Sequence, residues 1–520
     1  MPSELIPEGF RDAIIPKPFD PMEYHCLSCG GTYDTGEPRY TCESCGGLLL
    51  LRHQDEALLK AKGGDYWRKL FAYRRLSNHE SVRGVFSYQE FLAPSIGAAD
   101  ISYLGEGHTP LVSAPPSLAK EVGMPFRVKL DGLNPSLSFK DRGMAVALSY
   151  VKWLVREKGK KDLTVVCAST GDTSAAAALY AASLGDTVRS AVLVPQAFVT
   201  QGQLFQPIIA GARVYSLPGV FDDCMQVVAS LSEDYPVLLL NSKNPWRILG
   251  QESLAYELAE EHDWDLSGTA LFVPVGNAGN TSAILSGLLK LLRAGVIEAL
   301  PKFIATQSVR ANPVALYYAQ PKGSRGYAPV KVRQSVAQAA MIGDPVSFPR
   351  LSMLADDYEK SGGFFTAIDV EEQDIMDNMM LANGKGLVVC TQGGEALAGL
   401  RKAMRLGIIA KDDKPVLDST AHPLKFKEFA LDYTDDLLKD YDIRPVKEYR
   451  NFQNFVDPAS FRISQEAQKA PNGAQPIDYK GVAGALASHL GLPPGKEATS
   501  KGKGTGLNGP LVGNPGPSGK

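Results

Sequence analysis

Apolar residues in this 520-residue chain gather into short continuous runs. "LTVVCAS", "SAVLVP", "GARVYSL", "YPVLLLN" and "TALFVPVG" are β-rich, punctuated by glycine, and separated by helical stretches such as "DTSAAAALYAASLG" and "TSAILSGLLKLLRAG". Continuous rather than alternating apolar runs belong to strands covered on both faces, as in parallel sheets with crossover helices. The pattern predicts an α/β, doubly wound fold. Its texture changes along the chain. Residues 1–20 read as an N-terminal arm, 21–52 as a cysteine-rich ribbon, and 53–100 as a helical linker containing "DYWRKLFAYRRL". Residues 101–470 form the large domain, with a smaller lobe at roughly 140–260 nested in it. The segment 471–520 ends in "EATSKGKGTGLNGPLVGNPGPSGK", too rich in glycine and proline to offset its ordering entropy by burial, and predicts a largely disordered tail.

Charge narrows the partners. The formal net charge is -3, with no long block of one sign, so neither nucleic acid nor an anionic membrane surface is favoured. No apolar run reaches the roughly 18 residues a membrane span needs, and the start "MPSELIPEGFRDAIIPKPFD" lacks signal-peptide blocks. The expectation is a cytoplasmic protein with a small-molecule partner.

Four of the seven cysteines, Cys26, Cys29, Cys42 and Cys45, form two Cys-x-x-Cys knuckles, "CLSCGG" and "CESCGG". Four thiolates satisfy tetrahedral zinc and leave no open position, which predicts a structural site. Disulfides in an oxidising compartment and a nucleic-acid-binding ribbon are the alternatives; the second is weakened because only Arg39 lies between the knuckles. Cys167, Cys224 and Cys390 are scattered and read as small core residues.

Three loops sit between an apolar strand and a helix, where α/β enzymes place ligands. The first is "VVCASTGDTSAAA", with Ser169, Thr170, Asp172 and Thr173; the second is "FVPVGNAGNTSAI", with Gly276, Asn277, Ala278, Gly279 and Asn280. Hydroxyls and free amides at a helix N-terminus suit a carboxylate or phosphate. Either loop could equally be a glycine turn with an N-cap. The third, "NSKNPWRILGQES", adds Ser242 and Arg247, whose guanidinium suits a bidentate phosphate contact. Together they offer one anion site more than a monophosphate cofactor requires, so a phosphorylated substrate is plausible. "NPSLSFKDRGM" then places Lys140 at a helix head. It can be read as an ordinary helix start, with Ser138 as N-cap and Asp141 completing the cap. Among phosphate cradles it can also be read as a Schiff-base lysine for pyridoxal phosphate.

"YLGEGHTPLV", "LNPSLSFKDRGM", "ASTGDTSAAAA", "NSKNPWRILGQ", "VPVGNAGNTSA", "AMIGDPVSFPR" and "STAHPLKF", in order over about 103–427, resemble the threonine synthase family. These are pyridoxal-phosphate enzymes of the tryptophan-synthase β-like fold (fold type II), some with an N-terminal zinc ribbon. The resemblance implies that Lys140 carries the cofactor and that Gly276, Asn277, Ala278, Gly279 and Asn280 hold its phosphate. Asp172 stands where many relatives have an asparagine near the cofactor's 3'-oxygen; a carboxylate there repels a phenolate unless one of the two is protonated. Ser169, Thr170 and Thr173 would take the substrate carboxylate and part of its phosphate, and Ser242 and Arg247 would complete the phosphate pocket. Thr420 would face the pyridine nitrogen, where a neutral hydroxyl favours elimination and replacement over transamination.

The implied reaction is γ-elimination of phosphate from O-phosphohomoserine and addition of water at Cβ, giving threonine, by an enzyme expected to be a homodimer. Cysteate synthase, acting on O-phosphoserine and sulfite, is the alternative; a dehydratase would need no phosphate pocket, and a non-catalytic homologue would not need Lys140. "VVCTQGGEALAGL" departs from the family pattern, so Thr391, Gln392 and Glu395 receive no catalytic role, and His108 and His422 read as structural.

Overall fold

β-branched and apolar runs place thirteen strands in three sheets. In chain order they are β1 Met22–Cys26, β2 Thr32–Asp34, β3 Leu49–His53, β4 Leu111–Ser113, β5 Arg127–Lys129, β6 Leu163–Ala168, β7 Val188–Pro195, β8 Arg213–Leu217, β9 Val237–Leu239, β10 Thr269–Pro274, β11 Lys302–Ser308, β12 Phe364–Val370 and β13 Lys414–Asp418. The computed structural model describes residues 6–18, 21–160, 163–169, 171–196, 201–219, 221–454 and 479–493. Thr170 and most of the tail lie outside them; within the tail, Tyr479–His489 is helical. Contacts divide the chain into two units, Met1–Tyr449 and Arg450–Lys520.

β1–β3 make an antiparallel ribbon in the order β2-β1-β3. A four-stranded parallel sheet runs β8-β7-β6-β9, and a six-stranded sheet runs β12-β11-β10-β13-β5-β4, with only β4 antiparallel. All five apolar runs singled out above are strands, β6 to β10. Burial explains the pattern in the central strand β10, every residue of which is buried, whereas the edge strand β8 is largely exposed.

The order of strands positions the site. In the smaller sheet β6 is flanked by β7 on one side and β9 on the other; in the larger, β10 is flanked by β11 and β13. Chain direction across the sheet reverses at these points, leaving a crevice beyond the carboxyl ends of the strands. The loops after β6, β9 and β10 are the three singled out in the sequence. The lobes meet where the helices Lys140–Lys158 and Pro245–Gln251 cross on glycine: a Cβ on Gly143 would stand 2.7 Å from the Arg247 carbonyl oxygen, and one on Gly250 would overlap that of Arg142. This approach brings the heads of the two helices together. Gly250→Ala is expected to lower stability by about 3 kcal/mol through overpacking, measurable by denaturant unfolding.

The turn before Lys140 is pinned from below. Arg142, fully buried, donates to Asp131 and Glu257, and Lys129 pairs with Glu257 and Glu261. Such a pair broken on one side leaves a buried charge unmatched, so the network holds its geometry.

Candidate active site

Lys140 is the first residue of its helix and its N–H donates to the Ser138 Oγ (3.4 Å), but Asp141 does not complete the expected cap. Residue 139 precedes the helix without a side-chain cap, and Asp141 turns back to accept from Ser136 N–H (3.1 Å) and Oγ (2.7 Å). What fixes the turn is a distant segment. Ser138 faces Ala421 in an antiparallel bridge, Phe139 N–H donates to the Thr420 carbonyl (2.9 Å), and His422 N–H donates to the Leu137 carbonyl (3.0 Å). Leu137 takes a positive φ of 66° to make this bend. Lys140 and Thr420 are thereby brought together from the ends of neighbouring strands, β5 and β13.

The Lys140 side chain is half-buried, with its Nζ 3.8 Å from the Phe139 ring centroid. Burial, and then the positive charge of Arg247, bring its pKa down to about 7. The neutral amine is the form that attacks a carbonyl. Cofactor-free protein is therefore expected to recombine with pyridoxal phosphate at a rate that rises with pH through about 7 and then levels off; a midpoint near the usual lysine value would contradict this.

Asn241 joins two of the loops, accepting from Ala168 N–H (3.0 Å) and donating to its carbonyl (2.7 Å). Asn244 caps the helix Pro245–Gln251, accepting from the N–H groups of Trp246 and Arg247. Ser242 lies between them, half-buried, and its Cβ would be 3.7 Å from a Cβ on Gly279, so the second and third loops touch. Ser169 and Thr173 are half-buried on either side of the start of the helix Asp172–Ser183. Arg247 is buried, donates from Nη1 to the Leu240 carbonyl (2.8 Å), and has no carboxylate partner among the described residues; burial lowers its pKa to about 10.

The loop after β10 is built for close approach. Ala278 has φ 59° and leads into the helix Gly279–Arg293. A Cβ on Gly276 would sit 3.0 Å from Ala340 Cα, tighter than most side chains pack, so glycine lets the two backbones approach without displacement. Free amides at the start of a fifteen-residue helix suit the phosphate of a cofactor. Nearby polar atoms are buried without hydrogen-bond partners: Asn280 Oδ1, Asp418 Oδ1, Thr391 Oγ1 and both amide atoms of Gln392. The head of the helix Thr391–Arg405 abuts Ser419, beside Thr420. Unsatisfied buried groups of this kind fit a polar ring in the crevice.

A family model described as pyridoxal-phosphate dependent enzyme matches residues 103–417. The threonine synthase of Methanocaldococcus jannaschii is 36% identical over 419 residues, covering 80% of this chain and 96% of that protein. The chain belongs to the threonine synthase family of pyridoxal-phosphate-dependent enzymes. The chloroplastic threonine synthase 2 of Arabidopsis thaliana is 35% identical, covering 82% of this chain and 81% of that one. The solved structure of threonine synthase from Escherichia coli has a TM-score of 0.57 at 16% identity, over 90% of this chain and all of that one, a likeness of fold. The family's fold type II is the fold described above. Among the described residues no helix is long and apolar enough to cross a membrane.

Sequence reasoning assigned no role to two cations that the structure places at the site. Lys425, in "STAHPLKF", has its Nζ 3.1 Å from Asp172 Oδ1 and donates to Gln206 Oε1 (2.8 Å) and the Ser136 carbonyl (2.9 Å). Arg350, in "DPVSFPR", is buried and donates to the Ser242 carbonyl (3.3 Å); burial lowers its pKa to about 9, and it pairs with no carboxylate among the described residues. Both lie inside family motifs, which was the available signal. His108 is held by Ser87 and Arg75, and His422 accepts from Leu424 N–H, so both serve the backbone and its packing. Glu395 accepts from Thr306, and burial raises its pKa well above the carboxylate range.

In the ribbon, the sulfurs of Cys26, Cys29, Cys42 and Cys45 all lie within 4.8 Å of one another. Each knuckle closes with the same bonds: Cys26 N–H to the Gly31 carbonyl and Cys42 N–H to the Gly47 carbonyl, both 2.8 Å. Paired sulfurs stand 3.5 Å apart, far longer than the roughly 2.05 Å of a disulfide and near the spacing around a shared tetrahedral ion.

Proposed function

We propose that this chain is a threonine synthase, converting O-phospho-L-homoserine and water to L-threonine and inorganic phosphate. The observation that carries the reading is the buried guanidinium of Arg247, which pairs with no carboxylate among the described residues and whose charge reaches Lys140. A buried cation is costly without a partner, so this one calls for an anion in the crevice. It stands beside the Gly276–Asn280 cradle, leaving that cradle free for the cofactor phosphate.

When bound, pyridoxal phosphate supplies an electron sink that makes the protons on the substrate's Cα and Cβ acidic. Lys140 would hold it, with Gly276, Asn277, Ala278, Gly279 and Asn280 at its phosphate, Asp172 near its 3'-oxygen and Thr420 at its ring nitrogen. Lys425 supports the Asp172 assignment, because an ammonium 3.1 Å away offsets the carboxylate charge.

Ser169, Thr173 and, outside the described residues, Thr170 orient the substrate carboxylate. Ser242 and Arg247 grip its phosphate as it leaves from Cγ. The Lys140 amine, nearly half neutral around pH 7, takes the proton first from Cα and then from Cβ, and returns protons after water has added at Cβ. In the ribbon the four cysteines would hold a zinc ion in a structural role, leaving no position for substrate.

The competing substrate pair is O-phosphoserine and sulfite. Incubation with O-phosphohomoserine and no sulfite is expected to release phosphate; release only from O-phosphoserine with sulfite would move the assignment to cysteate synthesis.

A further inference from the structure

The ribbon of β1–β3 is hydrogen-bonded to the segment that carries the phosphate-binding groups. The Tyr40 hydroxyl accepts from Leu239 N–H (2.8 Å) on β9, the outer strand of its sheet, whose free edge would otherwise leave that donor unpaired. Trp246 Nε1–H donates to the Tyr24 hydroxyl (3.0 Å), Tyr24 to the Tyr150 hydroxyl (3.4 Å), and Tyr150 to the Thr35 carbonyl (2.8 Å). The Tyr150 ring stacks on Trp246 at 4.2 Å. Arg350 completes the set, donating from Nη2 to the Leu49 carbonyl of β3 (2.7 Å) and from Nη1 to the Ser242 carbonyl.

Leu239, Ser242 and Trp246, spread across residues 239–247, are thus each tied to the ribbon, two directly and one through Arg350. Arg247 depends on this framing. Its side chain is fixed by a single bond to the Leu240 carbonyl, and its Nε has no partner, so its place is set by the backbone that carries it. Strands of five, three and five residues do not make a rigid sheet alone. Closure of the four-cysteine cluster by a metal would make the ribbon stiff enough to act as a fixed support.

We propose that the ribbon is a clamp on residues 239–247, with Tyr24, Tyr40 and Arg350 as positioning residues that set the affinity of Ser242 and Arg247 for a phosphate ester. This rests on the reading of Ser242 and Arg247 as the phosphate pocket. The ribbon touches no reacting atom, so its effect falls on binding rather than on proton transfer at Lys140.

The test uses the full chain loaded with cofactor and inorganic phosphate as the probe. Binding is read by calorimetry, beside KM and kcat for O-phosphohomoserine. Tyr40→Phe is expected to weaken phosphate binding and raise KM roughly 5- to 30-fold, the effect of losing one acceptor from a buried donor. Its kcat should stay within about threefold and its cofactor absorbance should be unchanged. Tyr24→Phe, which deletes the acceptor for Trp246 and the donor to Tyr150, should act in the same direction and serves if Tyr40→Phe does not fold. Stripping the ribbon's metal with a chelator should weaken phosphate binding at least as much. Unchanged phosphate affinity in a folded variant would overturn the clamp while leaving the phosphate pocket in place. So would a fall in apparent kcat and in bound cofactor in step with the folded fraction, with KM unchanged. Wild-type protein that ignores phosphate would contradict the pocket itself.

Discussion

Lys140→Ala is expected to abolish turnover, by at least roughly 10⁴-fold, and to remove the absorbance of lysine-bound cofactor. The Gly276–Asn280 cradle and the Lys425–Asp172 pair do not depend on Lys140, so the variant should still bind pyridoxal phosphate, held without a covalent bond and with the spectrum of the free aldehyde. A second consequence follows from linkage. The folded pKa of Lys140, about 7, lies below the value of 10.5 for a solvated lysine, so between these values the unfolded chain binds more protons. Lys140 therefore costs wild-type stability at and below pH 7, and this cost disappears as pH rises toward 10.5. The stability of Lys140→Ala relative to wild type should be greatest at neutral pH and fall as pH rises. Urea unfolding of both proteins across that range reads it, and a difference independent of pH would contradict a buried, neutral amine.

Arg247→Ala is expected to raise KM for O-phosphohomoserine by on the order of 10²- to 10³-fold, because a buried charge-assisted contact with the leaving phosphate is lost. The cofactor absorbance should persist, since the cradle is untouched. The same change removes the largest charge effect that keeps Lys140 low, so its pKa should rise and the pH dependence of kcat, which reads the freed amine, should move to higher pH. Arg247→Lys should restore the charge at Lys140 better than the affinity for phosphate, because an ammonium lacks the guanidinium fork. Steady-state kinetics over a pH series separates the two effects. A KM unchanged by Arg247→Ala would remove this residue from the phosphate pocket.

The parts of the molecule that were legible in the sequence are those set by local chemistry. The central strands β6 and β10 run almost wholly apolar because both faces are covered, and the knuckles at Cys26 and Cys42 are written in spacing and glycine. The loops after β6, β9 and β10 were visible as small and polar residues between strand and helix. The turn at Ser138 was not, because its partners are Thr420 and His422, nearly three hundred residues on, and a local capping rule cannot see a long-range bridge. Lys425 and Arg350 went unassigned for the same reason: a cation's role depends on what faces it, here Asp172 and Ser242 from other segments. Gly143 and Gly250 looked like ordinary helical residues until the crossing of their helices showed why a Cβ has no room. The ribbon's cysteines told of a metal, but only Tyr24, Tyr40 and Leu49 showed what the ribbon holds.

The central claim is that this site expels phosphate by breaking the bond from Cγ to oxygen and then adds water at Cβ. Turnover of O-phosphohomoserine in ¹⁸O-labelled water, with both products examined by mass spectrometry, tests it most directly. The account predicts threonine carrying one labelled oxygen and phosphate carrying none, in equal amounts. Labelled phosphate with homoserine would mean hydrolysis at phosphorus, and would contradict the roles given to Lys140, Ser242 and Arg247.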